Sequence, residues 1–473
     1  MTSKALYIHT IGCQMNVYDS EQIAARLSAM GYEQVSGPEA ADLIILNTCT
    51  IRAKAEQKVY SFLGRLARLK ANRSDMIIGV GGCVAQQDGK KMLKRLPFVD
   101  ILFGTNAIDR LPAMIRTIES KQGPVVDIDL EDRPPSADFY EYIQPQTAVS
   151  RFVTVMRGCD NFCSYCVVPY VRGREISREP QKIIEEIKHL VDTGVKEVTL
   201  LGQNVNSYGR KQGLCSFADL LSRINDIEGL LRIRFTTSHP KDLNSDLVQC
   251  FGHLEKLCRH IHLPVQSGSN AVLKNMNRKY TRELYLDKVA KLRDTCPDIA
   301  LTSDIIVGFP GETAADYEKT LELIRQVEFD GLFAFQYSDR PNARSVEFPD
   351  KISEVEKKDR LQRLLAMQEA ITKKKNQALV GSVQTVLVDG LSKKEIADRP
   401  QVELLPEQWS GRTTTNKIVN FDCDLNCDDR AGIYPGRLLV VRIEKAYFHS
   451  LQGKPVTVET TAGDAKGANS YAA

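Results

Sequence analysis

Apolar runs bounded by glycine and polar residues alternate along the chain with stretches whose apolar positions recur at helical spacing. Between residues 5 and 105 strand-like and helix-like segments alternate three times, with strands expected at 5–13, 42–49 and 76–83. Amphipathic stretches follow them, the first to Met30 and the second to Lys70. This alternation predicts a parallel sheet covered by helices. From residue 151 to about 337 six further strands are expected, at 152–157, 196–201, 231–237, 260–265, 300–306 and 331–337, with helical segments between them. Six units are too few for a closed eight-stranded barrel, so a partial (β/α)6 barrel is predicted. Residues 351–375 place Val355, Leu361, Leu364, Leu365 and Ala366 at near-helical spacing and carry eight Lys or Arg against four Asp or Glu, which reads as a helix with a basic face. Short alternating runs at 383–388, 417–421 and 437–443 then predict a small antiparallel β-barrel. The chain is therefore expected to be α/β, with an N-terminal parallel domain (1–121), an acidic linker containing Pro134-Pro135 (122–150), a partial barrel (151–376), a small β-barrel (377–447) and a tail (448–473).

Composition narrows the class. At 473 residues and 42% hydrophobic content the chain can build three cores. It lacks an apolar leader and any apolar run of membrane-spanning length, so a cytoplasmic monomer without a membrane partner is expected. Twelve cysteines are too few for a disulfide scaffold in so long a chain and are expected to remain thiols. A net charge of +3 does not announce nucleic acid, so any such partner would depend on local basic patches.

The chemistry lies in the cysteines. Cys159, Cys163 and Cys166 are spaced to hold a four-iron cluster and leave one iron without a protein ligand. A structural zinc site would want a nearby fourth ligand, but the nearest candidate, His189, falls on an ordinary amphipathic helix. Cys13, Cys49 and Cys83 each end one of the first three strands. Right-handed crossovers bring such ends to one sheet edge. One buried cysteine is ordinary packing, whereas three at the same place in successive units point to a second iron–sulfur cluster. Gly79, Gly81 and Gly82 suit either a close approach to a bulky ligand or a tight turn. In the second domain, polar residues collect past the strand ends, where barrels carry their sites. Gln203, Asn206, Ser238 and Gln266 are the candidates there for contacts to a polar organic cofactor. His239 and His262 read as hydrogen-bonded structure. Cys215, Cys250, Cys258, Cys296, Cys423 and Cys427 read as ordinary thiols.

The Cys-x3-Cys-x2-Cys loop on a partial barrel resembles the radical S-adenosylmethionine superfamily, and with the three upstream cysteines it resembles the methylthiotransferases. Within these, Met156-Arg157-Gly158-Cys159-Asp160-Asn161-Phe162-Cys163-Ser164-Tyr165-Cys166, Leu201-Gly202-Gln203-Asn204-Val205-Asn206 and His262-Leu263-Pro264-Val265-Gln266-Ser267-Gly268-Ser269 look like the tRNA-modifying branch. Asn342 departs from that pattern, because family members commonly carry Gly after the Arg-Pro pair. Residues 411–421, from Gly411-Arg412-Thr413 to Phe421, resemble the TRAM domain, an RNA-binding module.

The resemblance implies two [4Fe-4S] clusters and S-adenosylmethionine, and their strand-end positions make Gln203, Asn206, Ser238 and Gln266 the candidates to contact the latter. The cluster on Cys159, Cys163 and Cys166 would cleave S-adenosylmethionine to a deoxyadenosyl radical. The auxiliary cluster on Cys13, Cys49 and Cys83 would carry the sulfur, methylated by a second S-adenosylmethionine. The implied reaction is methylthiolation at C2 of N6-(dimethylallyl)adenosine at position 37, beside the anticodon of tRNA. The partners would be the anticodon stem-loop and an unidentified electron donor. Threonylcarbamoyladenosine or a ribosomal aspartate are rival targets, against which the Met-Arg-Gly approach to Cys159 argues. A non-catalytic RNA-binding iron sensor is the rival from another class. Because residues 377–447 hold nine basic and ten acidic side chains, RNA contact would rest on placement, with Lys373, Lys374, Lys375, Arg412 and Lys417 as candidates.

Overall fold

The computed structural model describes residues 4–50, 53–130, 148–392, 408–422 and 433–456, which divide into two compact units, 1–368 and 369–473. The first unit opens with β1 (Lys4–Thr10), α1 (Gln14–Ser28), β2 (Tyr32–Gln34), β3 (Leu43–Thr48), α2 (Ala53–Asn72), β4 (Ile77–Gly82), α3 (Cys83–Asp88), α4 (Lys90–Arg95), β5 (Ile101–Phe103), α5 (Leu111–Glu119) and β6 (Val125–Asp127). All six strands are parallel neighbours, in the order β2-β1-β3-β4-β5-β6. β3 and β4 are buried along their whole length, as central parallel strands covered on both faces must be. Leu46, Ile78 and Val80 face α2, while Leu43, Ile45 and Ile101 join the core containing Ile23 and Leu27 of α1 and Ile115 of α5. The expected linker is thus partly sheet: Val125, Val126 and Asp127 pair with Ile101, Leu102 and Phe103. Pro134 and Pro135 lie outside the described residues.

The six expected barrel strands are all present. They are β7 (Ser150–Thr154), β10 (Glu197–Leu201), β11 (Arg232–Phe235), β12 (His260–His262), β13 (Ala300–Val307) and β14 (Gly331–Gln336). Between β7 and β10 lie β8 (Met156–Arg157), α6 (Val168–Val171), β9 (Ile176–Ser177) and α7 (Pro180–Asp192), and the later crossovers contain α8 (Phe217–Asn225), α9 (Ser245–His253), α10 (Asn270–Asn275), α11 (Arg282–Thr295) and α12 (Ala314–Val327). The strands form two parallel triplets, β11-β10-β7 and β12-β13-β14, joined by a parallel bridge between Ile233 and Leu257. Among the described residues no pairing closes β14 back onto β7, so the barrel is partial, as expected.

The expected basic helix is α13 (Glu354–Gln377), but its buried stripe is polar. Lys357, Arg360, Leu364 and Gln368 are buried in the first unit, while Val355 is 81% exposed and Leu365 is 43% exposed, so the apolar face read from spacing does not form. Arg360 pairs instead with buried Glu312 at 2.6 Å.

The second unit is a closed barrel in the order β15-β16-β17-β19-β18, built from β15 (Val383–Leu391), β16 (Gln408–Thr413), β17 (Ile418–Asp422), β18 (Leu438–Ala446) and β19 (Leu451–Pro455) around Val386, Val419, Phe421 and Ile443. β19 falls in the expected tail and pairs in parallel with β17, so the barrel is not wholly antiparallel. No helix among the described residues is long and apolar enough to cross a membrane.

The N-terminal sheet and the partial barrel are locked together by charge. Asp19 meets Arg172 at 3.0 Å and Glu21 meets Arg151 at 2.8 Å. Arg178 donates to Glu186 at 2.7 Å and to the Tyr18 hydroxyl at 3.2 Å, with Arg178 and Glu186 almost fully buried. Removing one partner of a buried pair strands the other charge. Glu186→Ala is therefore expected to lower stability by about 3–5 kcal/mol in urea denaturation. A loss below about 1 kcal/mol would place this pair with ordinary surface ion pairs.

Candidate active site

Parallel register puts the first three cysteines together. Thr10 lies opposite Asn47 and Thr48 opposite Gly82, so the ends of β1, β3 and β4 share one edge. Cys13 caps α1 through its carbonyl, Cys49 follows β3 and Cys83 opens α3. Gly12 must lack a side chain here, because a Cβ would sit 2.7 Å from that of Cys49. Gly82 takes φ +90° at the turn into Cys83, the tight-turn use of glycine. Gly79 and Gly81 make room for Ile45 and Phe103, neighbours in the sheet, and not for a ligand.

The three thiols act on one another. Cys49 brings the Cys13 thiol down to about 6 despite burial, helped by Arg172, and Cys83 down to about 7 in the same way. Cys49, acted on by both, is pushed strongly up. Buried Asn16 and Asn47 pin the strand ends: Asn16 Nδ2 donates to Asn47 Oδ1 at 3.0 Å, and the Cys13 thiol donates to Asn16 Oδ1 at 3.3 Å.

The second set lies in the loop between β8 and α6. Burial pushes the Cys159 thiol up to about 11 and Cys166 up to about 12, with Cys163 raising both further. Among the described residues no three Cys, His, Asp or Glu gather in the manner of a single-ion site. Buried Arg278 donates to Cys163 Sγ at 3.4 Å and to the Pro264 carbonyl at 2.7 Å, tying the loop to the end of β12.

Beyond β10 and β11 lies a group of unsatisfied atoms. Gln203 Oε1, Asn204 Oδ1, Asn206 Oδ1, Ser238 Oγ and His239 Nε2 are buried without a hydrogen-bond partner among the described residues. Five such atoms at adjacent strand ends are costly unless a polar ligand takes them up, and S-adenosylmethionine has the amino, carboxylate and ribose groups to do so. Three of the four cofactor candidates read from the sequence are among these five residues. Gln266 differs: it is buried at φ +73° and its backbone bridges to Ile305. The sequence reading missed Asn204 and treated His239 as structural. Its Nδ1 does accept from the Lys241 backbone at 3.2 Å, but Nε2 is open, and burial lowers the ring pKa so that it stays neutral. His262 is structural, bonded to Thr302 Oγ1 at 3.1 Å.

The two cysteine sets adjoin. Cys83 packs against Val167 and Val171, which flank the turn of α6 directly after Cys166, and Cys13 lies beside Leu201 and Phe152 of the barrel strands. Arg172, at the end of α6, raises the acidity of Cys13 and Cys83 while binding Asp19. Asn342 takes φ +69° beside Ala343, which also packs on Cys83. Asn tolerates this left-handed conformation, so the departure from Gly leaves the turn intact. Cys250, Cys258 and Cys296 are buried away from both sets and Cys215 is half-buried, while Cys423 and Cys427 lie outside the described residues. In the second unit, Lys373, Lys374 and Lys375 occupy the last turns of α13, the first two exposed. Arg412 and Lys417 flank the β16–β17 turn, where Arg412 donates to Asn416 at 3.1 Å and approaches Asp389 at 3.9 Å.

Comparison with known proteins assigns the modules. The model of the uncharacterized protein family UPF0004 matches residues 5–104, that of the radical SAM superfamily 153–324 and that of the TRAM domain 377–456. The tRNA-2-methylthio-N(6)-dimethylallyladenosine synthase of Desulfosudis oleivorans is 53% identical over 98% of this chain and 100% of its own. Enzymes of the same name from Syntrophotalea carbinolica and Geobacter sulfurreducens are 48% and 49% identical, over 96% and 98% of this chain and 100% and 99% of theirs. Among solved structures, the radical S-adenosylmethionine methyltransferase TsrM from Kitasatospora setae shares the fold, with a TM-score of 0.53 and 13% identity over 81% of this chain and 78% of that one. With relatives about half identical along nearly the whole of both chains, this chain belongs to the tRNA-2-methylthio-N(6)-dimethylallyladenosine synthase family of radical S-adenosylmethionine enzymes.

Proposed function

We propose that the chain inserts a methylthio group at C2 of N6-(dimethylallyl)adenosine beside the anticodon of tRNA, using S-adenosylmethionine and two [4Fe-4S] clusters. The observation that carries this reading is the pair of cysteine sets meeting across α6. No side chain is a strong enough base or nucleophile for an aromatic C–H bond, and the bound clusters and S-adenosylmethionine supply the radical and sulfur chemistry it requires. Cys159, Cys163 and Cys166 would hold one cluster, and Cys13, Cys49 and Cys83 the other. Gln203, Asn206 and Ser238, joined by Asn204 and His239, would orient S-adenosylmethionine, while Gln266 bridges to Ile305 through its backbone. With Nδ1 accepting from Lys241, neutral His239 carries its proton on Nε2 and can donate one hydrogen bond there without adding charge.

The protein's other task is to position the adenosine and keep water away from it, which burial of Cys49, Cys83 and Cys163 supports. The adenosine must leave the stacked loop to reach them. Lys373, Lys374, Lys375, Arg412 and Lys417 then serve as phosphate contacts on the TRAM-containing unit. We read the chain as a cytoplasmic monomer served by an external electron donor, in keeping with ten described cysteines that are all free thiols. The five open polar atoms favour an enzyme over an iron-sensing RNA-binding protein, since a sensor has no use for a second organic ligand.

Anaerobically reconstituted protein given S-adenosylmethionine, reductant and tRNA should yield the methylthio nucleoside, read by mass, only when the tRNA carries the dimethylallyl group. Product solely from unprenylated tRNA would overturn the substrate. Cys49→Ala should keep release of 5′-deoxyadenosine and lose methylthiolation, whereas Cys163→Ala should lose both. Equal release by the two variants would contradict the division of roles.

A further inference from the structure

The outer side of α6 carries side chains that the proposed function leaves unused. Its inner side forms the wall between the cysteine sets, through Val167 and Val171 against Cys83. Tyr170, on the same turn, is 41% exposed. The Phe162 ring stands edge-on to it, with centroids 6.4 Å apart and planes at 84°. The Arg174 guanidinium lies 4.7 Å from the Phe162 centroid. Arg174 and Lys211 both reach Asp160, at 3.3 and 3.2 Å, so two exposed cations share one carboxylate and the patch keeps a surplus of positive charge. Phe162 also adopts φ +47°, a left-handed conformation uncommon for a bulky residue. Asn277 Nδ2 holds it there by donating to the Phe162 carbonyl at 2.9 Å and the Asn161 carbonyl at 3.3 Å. Strain held in this way next to Cys163, ending in an aromatic and cationic surface, is the kind that accompanies function.

We propose that Phe162, Tyr170 and Arg174 form a stacking platform for an unpaired base of the RNA loop next to the target adenosine, with Lys211 near its phosphate. The proposal rests on the function above and deepens it by naming where single-stranded RNA docks on the radical SAM domain. Aromatic rings and guanidinium planes stack on any base, and the cations track the backbone. A base seated on Tyr170 lies one helical turn from Cys166, on the same short helix that packs against Cys83. Its neighbour in the chain then lies close to the cysteine sets, and extrusion of the adenosine is balanced by new stacking beside it.

The test uses the reconstituted full-length protein and a dimethylallylated anticodon stem-loop with 2-aminopurine at the nucleotide on either side of the target. Binding to the parent protein should quench one of the two probes. Tyr170→Ala should remove most of that quenching and raise the KM for the stem-loop about tenfold, while Tyr170→Trp restores both. Arg174→Glu, on the exposed rim, should raise KM similarly, and iron content measured alongside separates lost docking from lost assembly. Unchanged quenching and KM in both Tyr170→Ala and Arg174→Glu would overturn the platform, leaving RNA to dock elsewhere or this patch to a protein partner. A parent protein that forms no methylthio nucleoside would instead overturn the proposed function.

Discussion

The arrangement depends on how α1 is fastened to the barrel. Cys13 caps this helix, and Tyr18, Asp19 and Glu21 on its first turns reach Arg178, Arg172 and Arg151 of the second domain. Burying these charges is costly, and burial pushes the Asp19 carboxyl up against the pull of Arg172. Packed hydrophobic residues would give as much stability. Paired charges also fix register, since a slip by one helical turn would leave several of them unpaired in a dry interface. In this chain the registry matters because Arg172 both holds Asp19 and faces Cys13 and Cys83.

Both groups of residues carry demands that their own neighbours do not meet. Burial drives the Cys159 and Cys166 thiols up, the thiols of Cys13, Cys49 and Cys83 perturb one another, and five polar atoms at the ends of β10 and β11 lack partners among the described residues. These are the local violations of good packing expected where a protein reserves room for cofactors. Beside the first cysteine set the polar residues are satisfied: Asn16 and Asn47 bond each other, and Thr48 Oγ1 donates to the Gly81 carbonyl at 2.6 Å.

Much of this was legible before any coordinates. Strands ending on Cys13, Cys49 and Cys83 announce themselves because parallel connections have one hand and the cysteines recur at one structural position. The six barrel strands show as apolar runs with polar tips. The three-residue strands β2, β5 and β6 do not, being too short to display a period, and β19 was read as tail because Leu451–Pro455 has little strand character away from its partners. α13 misleads for another reason: Arg360 is buried by a partner, Glu312, that lies far away in sequence, while Val355 is left in solvent. Arg172, Arg278, Asn16 and Asn47 escaped notice likewise, since a polar residue's value is set by what folding places opposite it.

The central claim is that two separate iron–sulfur centres meet across one turn of helix. Crystals of the anaerobically reconstituted protein, measured on both sides of the iron absorption edge, test it directly. The account predicts two iron peaks, one at Cys13, Cys49 and Cys83 and one at Cys159, Cys163 and Cys166, facing each other past Val167 and Val171. A single peak, or two peaks opening onto different faces of the protein, would contradict it.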